Sequence, residues 1–258
     1  MSTPRFYCAT PLRPHHHVEL PEKLAHYALR VLRLKNDADI ILFDGQGGEY
    51  PARLSTQGKH AGATTGAHNP REAELRGRIN LVQGLASADK MDWIIEKAVE
   101  LGASRVTPVT AQRSVLQLRG ERLEKRVQHW QRIAQSASEQ CGRNRIMTID
   151  RPCSLTHLMD DTALNTQAVT FLCHPDYGMP LHDAIRSSFN THQPAAQTET
   201  LELNLMVGPE GGWSESEIAL ARQHHVEAIR FGSRILRTET AGLALIAAST
   251  ALLRWNND

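Results

Sequence analysis

The chain has 258 residues, 41% of them hydrophobic and 22% charged, with a formal net charge of +1. This length allows one large or two smaller domains, and this balance excludes a disordered chain. A charge so near neutral excludes nucleic-acid binding through bulk electrostatics, so any such site must come from local clustering of basic residues.

The first part of the chain reads as a small, mainly β unit. Short apolar stretches at Arg5–Ala9, Ile40–Phe43, Tyr50–Leu54 and Gly62–Ala67 alternate with turn-rich pieces. Asp44-Gly45-Gln46-Gly47-Gly48 is the predicted hairpin loop, since its glycines tolerate positive φ. One helix is expected after Pro21, with Leu24, Tyr27, Ala28, Val31 and Leu32 on one face. The polar, aperiodic stretch from His68 to Glu74 marks the domain boundary, giving residues 1–72 and 73–258.

From Ile79 the rhythm changes to strand–helix alternation. Ile79–Leu85 is a buried-strand candidate. Ala88–Leu101 follows as an amphipathic helix with Met91, Ile94, Ile95, Ala98 and Leu101 on one face, and Gly102 stops it. Val106–Val109 is the next predicted strand. A long helix is expected over residues 120–140, with a stripe of Leu123, Val127, Trp130, Ile133, Ala134 and Ala137. Ala168–Cys173, Leu201–Val207 and Ala228–Phe231 complete the strands, and the polar stretch Asn190–Thr200 reads as a surface loop. Such alternation predicts an α/β fold with a mostly parallel sheet. Ligands of such sheets sit beyond the carboxyl ends of the strands, so the loops after Cys173, Val207 and Phe231 are the informative ones.

The cysteines Cys8, Cys141, Cys153 and Cys173 have no C-x-x-C spacing, which argues against a disulfide framework or a zinc site and for a reducing, cytoplasmic setting. His15-His16-His17 is a consecutive run rather than a spaced ligand set, and no metal is expected. No apolar run approaches about 18 residues and no apolar targeting segment opens the sequence, so neither membrane spanning nor export is expected. Between Arg113 and Arg145, eight basic residues (Arg113, Arg119, Arg122, Lys125, Arg126, Arg132, Arg143, Arg145) face three acids (Glu121, Glu124, Glu139). This is either a solvated helix face or a nucleic-acid track.

Two motifs carry chemistry. In Gly208-Pro209-Glu210-Gly211-Gly212-Trp213-Ser214, an apolar strand enters a glycine-rich turn whose backbone groups a ligand could reach directly. Ser214 and Glu217 form a capping box that starts the next helix. Neither G-x-x-x-x-G-K-[ST] nor G-x-G-x-x-G occurs, which disfavours nucleotide triphosphates and dinucleotides. The second motif is Gly232-Ser233-Arg234-Ile235-Leu236-Arg237-Thr238-Glu239-Thr240-Ala241-Gly242, at the start of the C-terminal helix. Thr238 could cap that helix and Glu239 complement its dipole, which leaves Arg234 and Arg237 without a task.

Together, Gly208-Pro209-Glu210-Gly211-Gly212 and Leu236-Arg237-Thr238-Glu239-Thr240-Ala241 resemble the SPOUT methyltransferases, specifically the ribosomal RNA small subunit methyltransferase E family, which methylates uridine N3. Arg5-Phe6-Tyr7, His26 with Val31-Leu32-Arg33, and Phe43-Asp44-Gly45 resemble that family's PUA-like RNA-binding β-barrel. Lys90, Glu96-Lys97 and Glu100-Leu101-Gly102 resemble its first catalytic-domain helix. Arg113-Ser114 and Glu139-Gln140-Cys141-Gly142-Arg143 match two further signatures. Two departures stand out: Ile146-Met147 where relatives carry a proline, and Gln112 where an acid is common.

The resemblance implies an α/β SPOUT domain with a deep C-terminal trefoil knot, a homodimer, and a bent S-adenosyl-L-methionine held among three loops. It implies cofactor contacts from Leu172 and His174, from Gly208, Gly211 and Gly212, and from Leu236, Thr238 and Ala241. Arg237, Glu210 and Glu239 become the candidate catalytic residues. Arg5, Arg30, Arg33, Arg113, Arg143 and Arg145 become the candidate RNA contacts, extended by Lys35. The implied partner is 16S rRNA within the 30S subunit. The alternatives are methylation at another RNA position and a catalytically silent RNA-binding or ribosome-assembly factor.

Overall fold

The computed structural model describes residues 3–58, 60–160, 168–191 and 201–256. The chain forms two compact units, residues 1–74 with 138–146, and residues 75–137 with 147–258.

The first unit contains β1 (Arg5–Tyr7), β2 (His17–Glu19), α1 (Glu22–His26), β3 (Asp39–Phe43), β4 (Tyr50–Gln57) and β5 (His60–Thr65). They form a sheet in the order β1-β3-β4-β5-β2, parallel between β1 and β3 and antiparallel elsewhere. Alternation along β4 turns Tyr50, Ala52 and Leu54 inward. They join Phe6, Ile40, Leu42, Ala25 and Ala28 in one apolar core. The predicted hairpin loop lies between β3 and β4, with Gly45, Gly47 and Gly48 all at positive φ. A Cβ on Gly48 would sit 2.7 Å from the Asn69 backbone carbonyl oxygen, so this position requires glycine on two counts.

The expected single helix ends differently. Tyr27–Val31 is a π-helical turn in which the Leu32 amide donates to the Tyr27 carbonyl at 3.0 Å. The wider turn rotates the apolar stripe out of register, leaving Val31 57% and Leu32 39% exposed.

Residues 138–146 return to the first unit, which a boundary at residue 72 does not anticipate. Arg143 is 3% exposed and paired with Glu74, its Nε donating to Oε1 at 2.9 Å. Arg5 pairs with Glu49, donates to Asn144 Oδ1 at 2.6 Å and lies over the Phe43 ring. Both arginines, expected to contact RNA, are instead committed inside this unit, because each guanidinium is enclosed with a carboxylate partner. Arg30 and Arg33 are exposed, as expected of RNA contacts, and Arg145 is exposed but pairs with Glu72 at 3.5 Å.

The second unit contains β6 (Arg78–Gly84), α2 (Ala88–Glu100), β7 (Arg105–Thr110), α3 (Gly120–Cys141), β8 (Thr148–Ile149), β9 (Cys153–Ser154) and α4 (Leu155–Asp160). It continues through β10 (Val169–Cys173), β11 (Met179–Pro180), α5 (Leu181–Thr191), β12 (Glu202–Val207), α6 (Glu215–Gln223), β13 (Glu227–Arg230) and α7 (Thr238–Leu253). The last turn of α3 belongs to the first unit. Strand order is β11-β13-β10-β12-β6-β7-β8, with β9 beside β7, and every pairing is parallel. Of the polar stretch Asn190–Thr200, residues 192–200 lie outside the described residues.

Strand alternation sorts side chains to two faces. Val82, Leu172 and Met206 pack with Leu155, Leu158, Ile218 and Ala221 of α4 and α6. Leu81 faces the other way, where α7 lies so close that a Cβ on Gly242 would sit 3.0 Å from it. Register is marked by a buried polar ladder across adjacent strands. Asn80 Nδ2 donates to Asn204 Oδ1, and Asn204 Nδ2 to Thr170 Oγ1, both at 3.0 Å. A one-residue slip would leave these amides unpaired inside the sheet. Among the described residues no helix is long and apolar enough to cross a membrane, and no three His, Cys, Asp or Glu cluster as metal ligands.

Candidate active site

The carboxyl ends of β10, β12 and β13 open onto one cavity of about 550 Å3. Its wall comes from Cys173–Asp176 after β10, Val207–Trp213 after β12, and the β13–α7 loop, with Lys90 and Arg113 added. The volume falls within the range that holds a cofactor-sized ligand.

The glycine turn is built by close backbone approach. A Cβ on Gly84 would lie 2.5 Å from Pro209, and one on Gly211 would lie 2.8 Å from Arg113 Cβ. Gly212 has φ +68. Arg113 Nη1 donates to the carbonyls of Gly211 at 3.1 Å and Trp213 at 3.3 Å, clasping the turn from outside. Downstream, the Ser214–Glu217 capping box is complete: each side chain meets the other's backbone amide, and Gln112 N also donates to Glu217 at 2.8 Å.

Gln83, fully buried at the end of β6, ties the turn to the last helix. Its Nε2 donates to Thr238 Oγ1 at 2.9 Å, and Thr238 Oγ1 donates to the Gly208 carbonyl at 2.6 Å. Thr238 therefore does not cap α7. The N-cap is Arg237, without a side-chain cap, and the Thr238 hydroxyl is spent on the glycine turn instead.

Three ionisable groups meet at the rim. Lys90 Nζ lies 3.3 Å from both Glu210 Oε1 and Glu239 Oε2. The Ser87 amide donates to Glu210 Oε1 at 3.0 Å. Burial alone would raise the Glu210 carboxyl, but the Ser87 amide, its own amide and Lys90 outweigh it and hold it below the usual carboxylate range. Burial likewise disfavours the Lys90 charge, yet the two carboxylates outweigh it and raise its pKa. At the other wall, burial pushes the Cys173 thiol up to about 11, so it is neutral and unreactive near pH 7. His174 accepts a hydrogen bond from the Asp176 amide at 3.1 Å and lies against Tyr177. Burial lowers its pKa with help from Arg222, against Asp176 and Glu215, which favours the neutral ring.

Of the residues expected to hold the cofactor or act in catalysis, His174, Gly208, Glu210, Gly211, Gly212, Leu236, Arg237, Thr238 and Ala241 line the cavity. Two expected residues do not. Leu172 is 1% exposed within the apolar cluster beneath, because it points to the α4–α6 face. Glu239 sits behind Lys90, its Oε2 buried and in ion-pair range but without an aligned hydrogen bond. Arg237 is exposed on the wall and makes no ion pair among the described residues. Lys90, Gln83 and Trp213 were not anticipated in the site. Lys90 carried a readable signal, a cation in the first turn of a helix, where a carboxylate is favoured.

The residues fit a ligand with both polar and apolar parts. Trp213 lines the cavity with a buried Nε1 that has no partner, and the glycine turn presents backbone in place of side chains.

A family model described as an RNA methyltransferase domain matches residues 73–250, and one described as an RNA methyltransferase PUA domain matches residues 20–61. The ribosomal RNA small subunit methyltransferase E of Bacillus subtilis (strain 168) is 31% identical over 237 residues, covering 89% of each protein. The structure of the Neisseria gonorrhoeae enzyme of that name, bound to S-adenosyl methionine, is 33% identical with a TM-score of 0.85 over 97% of this chain and 98% of that one. A Legionella pneumophila methyltransferase structure with bound cofactor SAM is 26% identical with a TM-score of 0.86, again over 97% and 98%. With its catalytic-domain model matched from residue 73 to 250 and its relatives aligned over most of their length, the chain belongs to the ribosomal RNA small subunit methyltransferase E family.

Proposed function

We propose that the protein uses S-adenosyl-L-methionine to methylate N3 of a uridine in the 16S rRNA of the bacterial 30S subunit. The observation that carries this reading is the cavity. It is walled by a glycine turn and by the β13–α7 loop, whose Arg237 makes no ion pair among the described residues, in a chain 33% identical to a relative whose structure contains that cofactor. The cofactor would be held by the backbone of Gly208, Gly211 and Gly212, by the residues after Cys173, and by Leu236 to Ala241. When bound, it supplies an electrophilic methyl group.

The remaining chemistry belongs to the chain. Uridine N3 lies on the Watson–Crick edge and carries a proton, so the base must be unpaired and N3 must lose that proton. Arg237, exposed on the wall and without an ion pair among the described residues, is placed to offset the charge that grows on a uracil carbonyl as N3 deprotonates. Holding the base against the cavity removes much of the entropic part of the barrier to reaction in the same stroke. The proton acceptor is a carboxylate or water, and Glu210 is the candidate carboxylate on the wall.

Exposed Arg30, Arg33, Arg119, Arg122 and Arg145 supply phosphate contacts, which give affinity without sequence choice. The same reading includes a PUA-like domain over residues 1–72, a knotted SPOUT domain over 73–258, a homodimer and a cytoplasmic site of action. Its test is methyl transfer from labelled cofactor to small subunits lacking their base methylations, followed by nucleoside analysis. Labelled 3-methyluridine is expected. Label in a different nucleoside would overturn the uridine assignment, and cofactor binding without transfer to any RNA would favour a silent binding factor.

A further inference from the structure

Two helices of this protein start by different rules. At α6 the capping box is local, with Ser214 as N-cap and Glu217 three residues on. At α2 the N-cap is Ser87, but the residue three positions on is Lys90, a cation at the positive end of the helix dipole. The carboxylate that a capping box needs arrives from elsewhere. Glu210, 123 residues away, accepts the Ser87 amide at 3.0 Å. Lys90 then makes electrostatic sense, because it pairs with that imported carboxylate at 3.3 Å and with Glu239 in the first turn of α7 at the same distance.

One ammonium thus joins three segments at the cavity rim: the start of α2, the glycine turn and the start of α7. Lys90 and Glu210 line the cavity, while Glu239 stands behind with a buried oxygen whose ion pair among the described residues is with Lys90. The other charged groups lining the cavity are Arg113 after β7, Asp176 after β10, and Arg234 and Arg237 before α7, with the ionisable His174 beside Asp176.

Building on the methyltransferase reading, we propose that Lys90 is a positioning residue that fixes Glu210 as an ionised latch on the glycine turn, so that the uridine imide proton leaves to water rather than to a carboxylate. Glu210 Oε1 already accepts the Ser87 amide and faces the Lys90 ammonium, and a proton taken up at either oxygen would discharge the ion pair and weaken the amide bond. In the step itself the N3–H bond breaks, its electron pair stays on N3, and the proton passes to a water molecule and on to bulk solvent. Arg237 offsets the charge left on the base.

The test uses the full-length protein, S-adenosyl-L-methionine and unmethylated small subunits, with variants Lys90→Met, Lys90→Arg and Glu210→Gln. Cofactor affinity by calorimetry is expected to weaken about tenfold in Lys90→Met, the worth of one charge-assisted contact, and to return within about threefold of wild type in Lys90→Arg. Glu210→Gln, which keeps the shape but loses the charge, is expected to weaken the cofactor similarly. Its turnover should keep the wild-type rise with pH between about pH 6 and pH 9, since water remains the acceptor. A flattened profile in Glu210→Gln would make Glu210 the base and overturn the proposal, as would unchanged cofactor affinity in Lys90→Met. If wild type bound cofactor but methylated no RNA, the methyltransferase reading and the proton route would fall. The latch would then be judged on the calorimetry alone.

Discussion

Arginine and glutamate do opposite things in two regions of this molecule. In the first unit, Arg143 and Arg5 are enclosed with Glu74 and Glu49, and Arg5 donates a second time to Asn144 Oδ1, with only its buried Nε left without a partner among the described residues. At the cavity of the second unit, Arg237 is exposed without an ion pair and Trp213 Nε1 is buried without a partner among the described residues, and Lys90 is shared by two carboxylates. Polar groups that find their partners within the chain serve the fold. Those left waiting in a cavity are available to something else. The difference teaches that residue type and local charge do not separate the two roles, whereas partnership does.

The largest effect expected from this contrast is on stability. Arg143→Ala would remove the enclosed guanidinium that pairs with the Glu74 carboxylate and should cost about 3–5 kcal/mol in urea unfolding, leaving cofactor affinity of the folded protein unchanged. Arg237→Ala should do the reverse. Turnover should fall about 100-fold to 1000-fold with unfolding free energy within about 0.5 kcal/mol of wild type. Full turnover with unchanged affinity for both substrates would show that Arg237 is not the electrostatic partner. Thr238→Val removes a hydroxyl that both accepts from Gln83 and donates to Gly208, so a stability loss of about 1–3 kcal/mol is expected, accompanied by weaker cofactor binding.

The exposed arginines sharpen the contrast on the RNA side. Replacing Arg30 or Arg33 by alanine should weaken RNA binding across sequences and reduce the salt slope by about one each, whereas conservative replacement of enclosed Arg143 by lysine should leave the slope unaltered. A flat salt response in the wild type would remove the phosphate track altogether. The smallest effect is the pH dependence from His174. Its pKa is lowered in the fold, so the unfolded chain binds more protons once the pH drops below the ordinary histidine value of about 6.5. Stability should therefore be complete above that value and decline modestly beneath it, and His174→Asn should remove that part of the decline in thermal melts at graded pH.

Much of this was legible in the sequence where the cause is local. The glycine turn, the Ser214–Glu217 box and the long strands β6, β10 and β12 follow from spacing within a few residues, and the structure places them as anticipated. The two-residue strands β8, β9 and β11 are too short to show a period. Long-range partnership was the other blind spot. Gln83 meets Thr238 across 155 residues and Arg143 meets Glu74 across 69, so neither role is written near the residue that performs it. Arg143 looked like a phosphate contact because its neighbours in sequence are basic, although its neighbour in space is an acid.

The measurement that tests the account most directly is nucleoside analysis of small subunits labelled by wild type and by Arg237→Ala, side by side under single-turnover conditions with saturating cofactor. Labelled 3-methyluridine made by the wild type, and slowed about 100-fold or more in the variant, is the predicted result. Label in another nucleoside, or 3-methyluridine formed by Arg237→Ala at the wild-type rate, would contradict it.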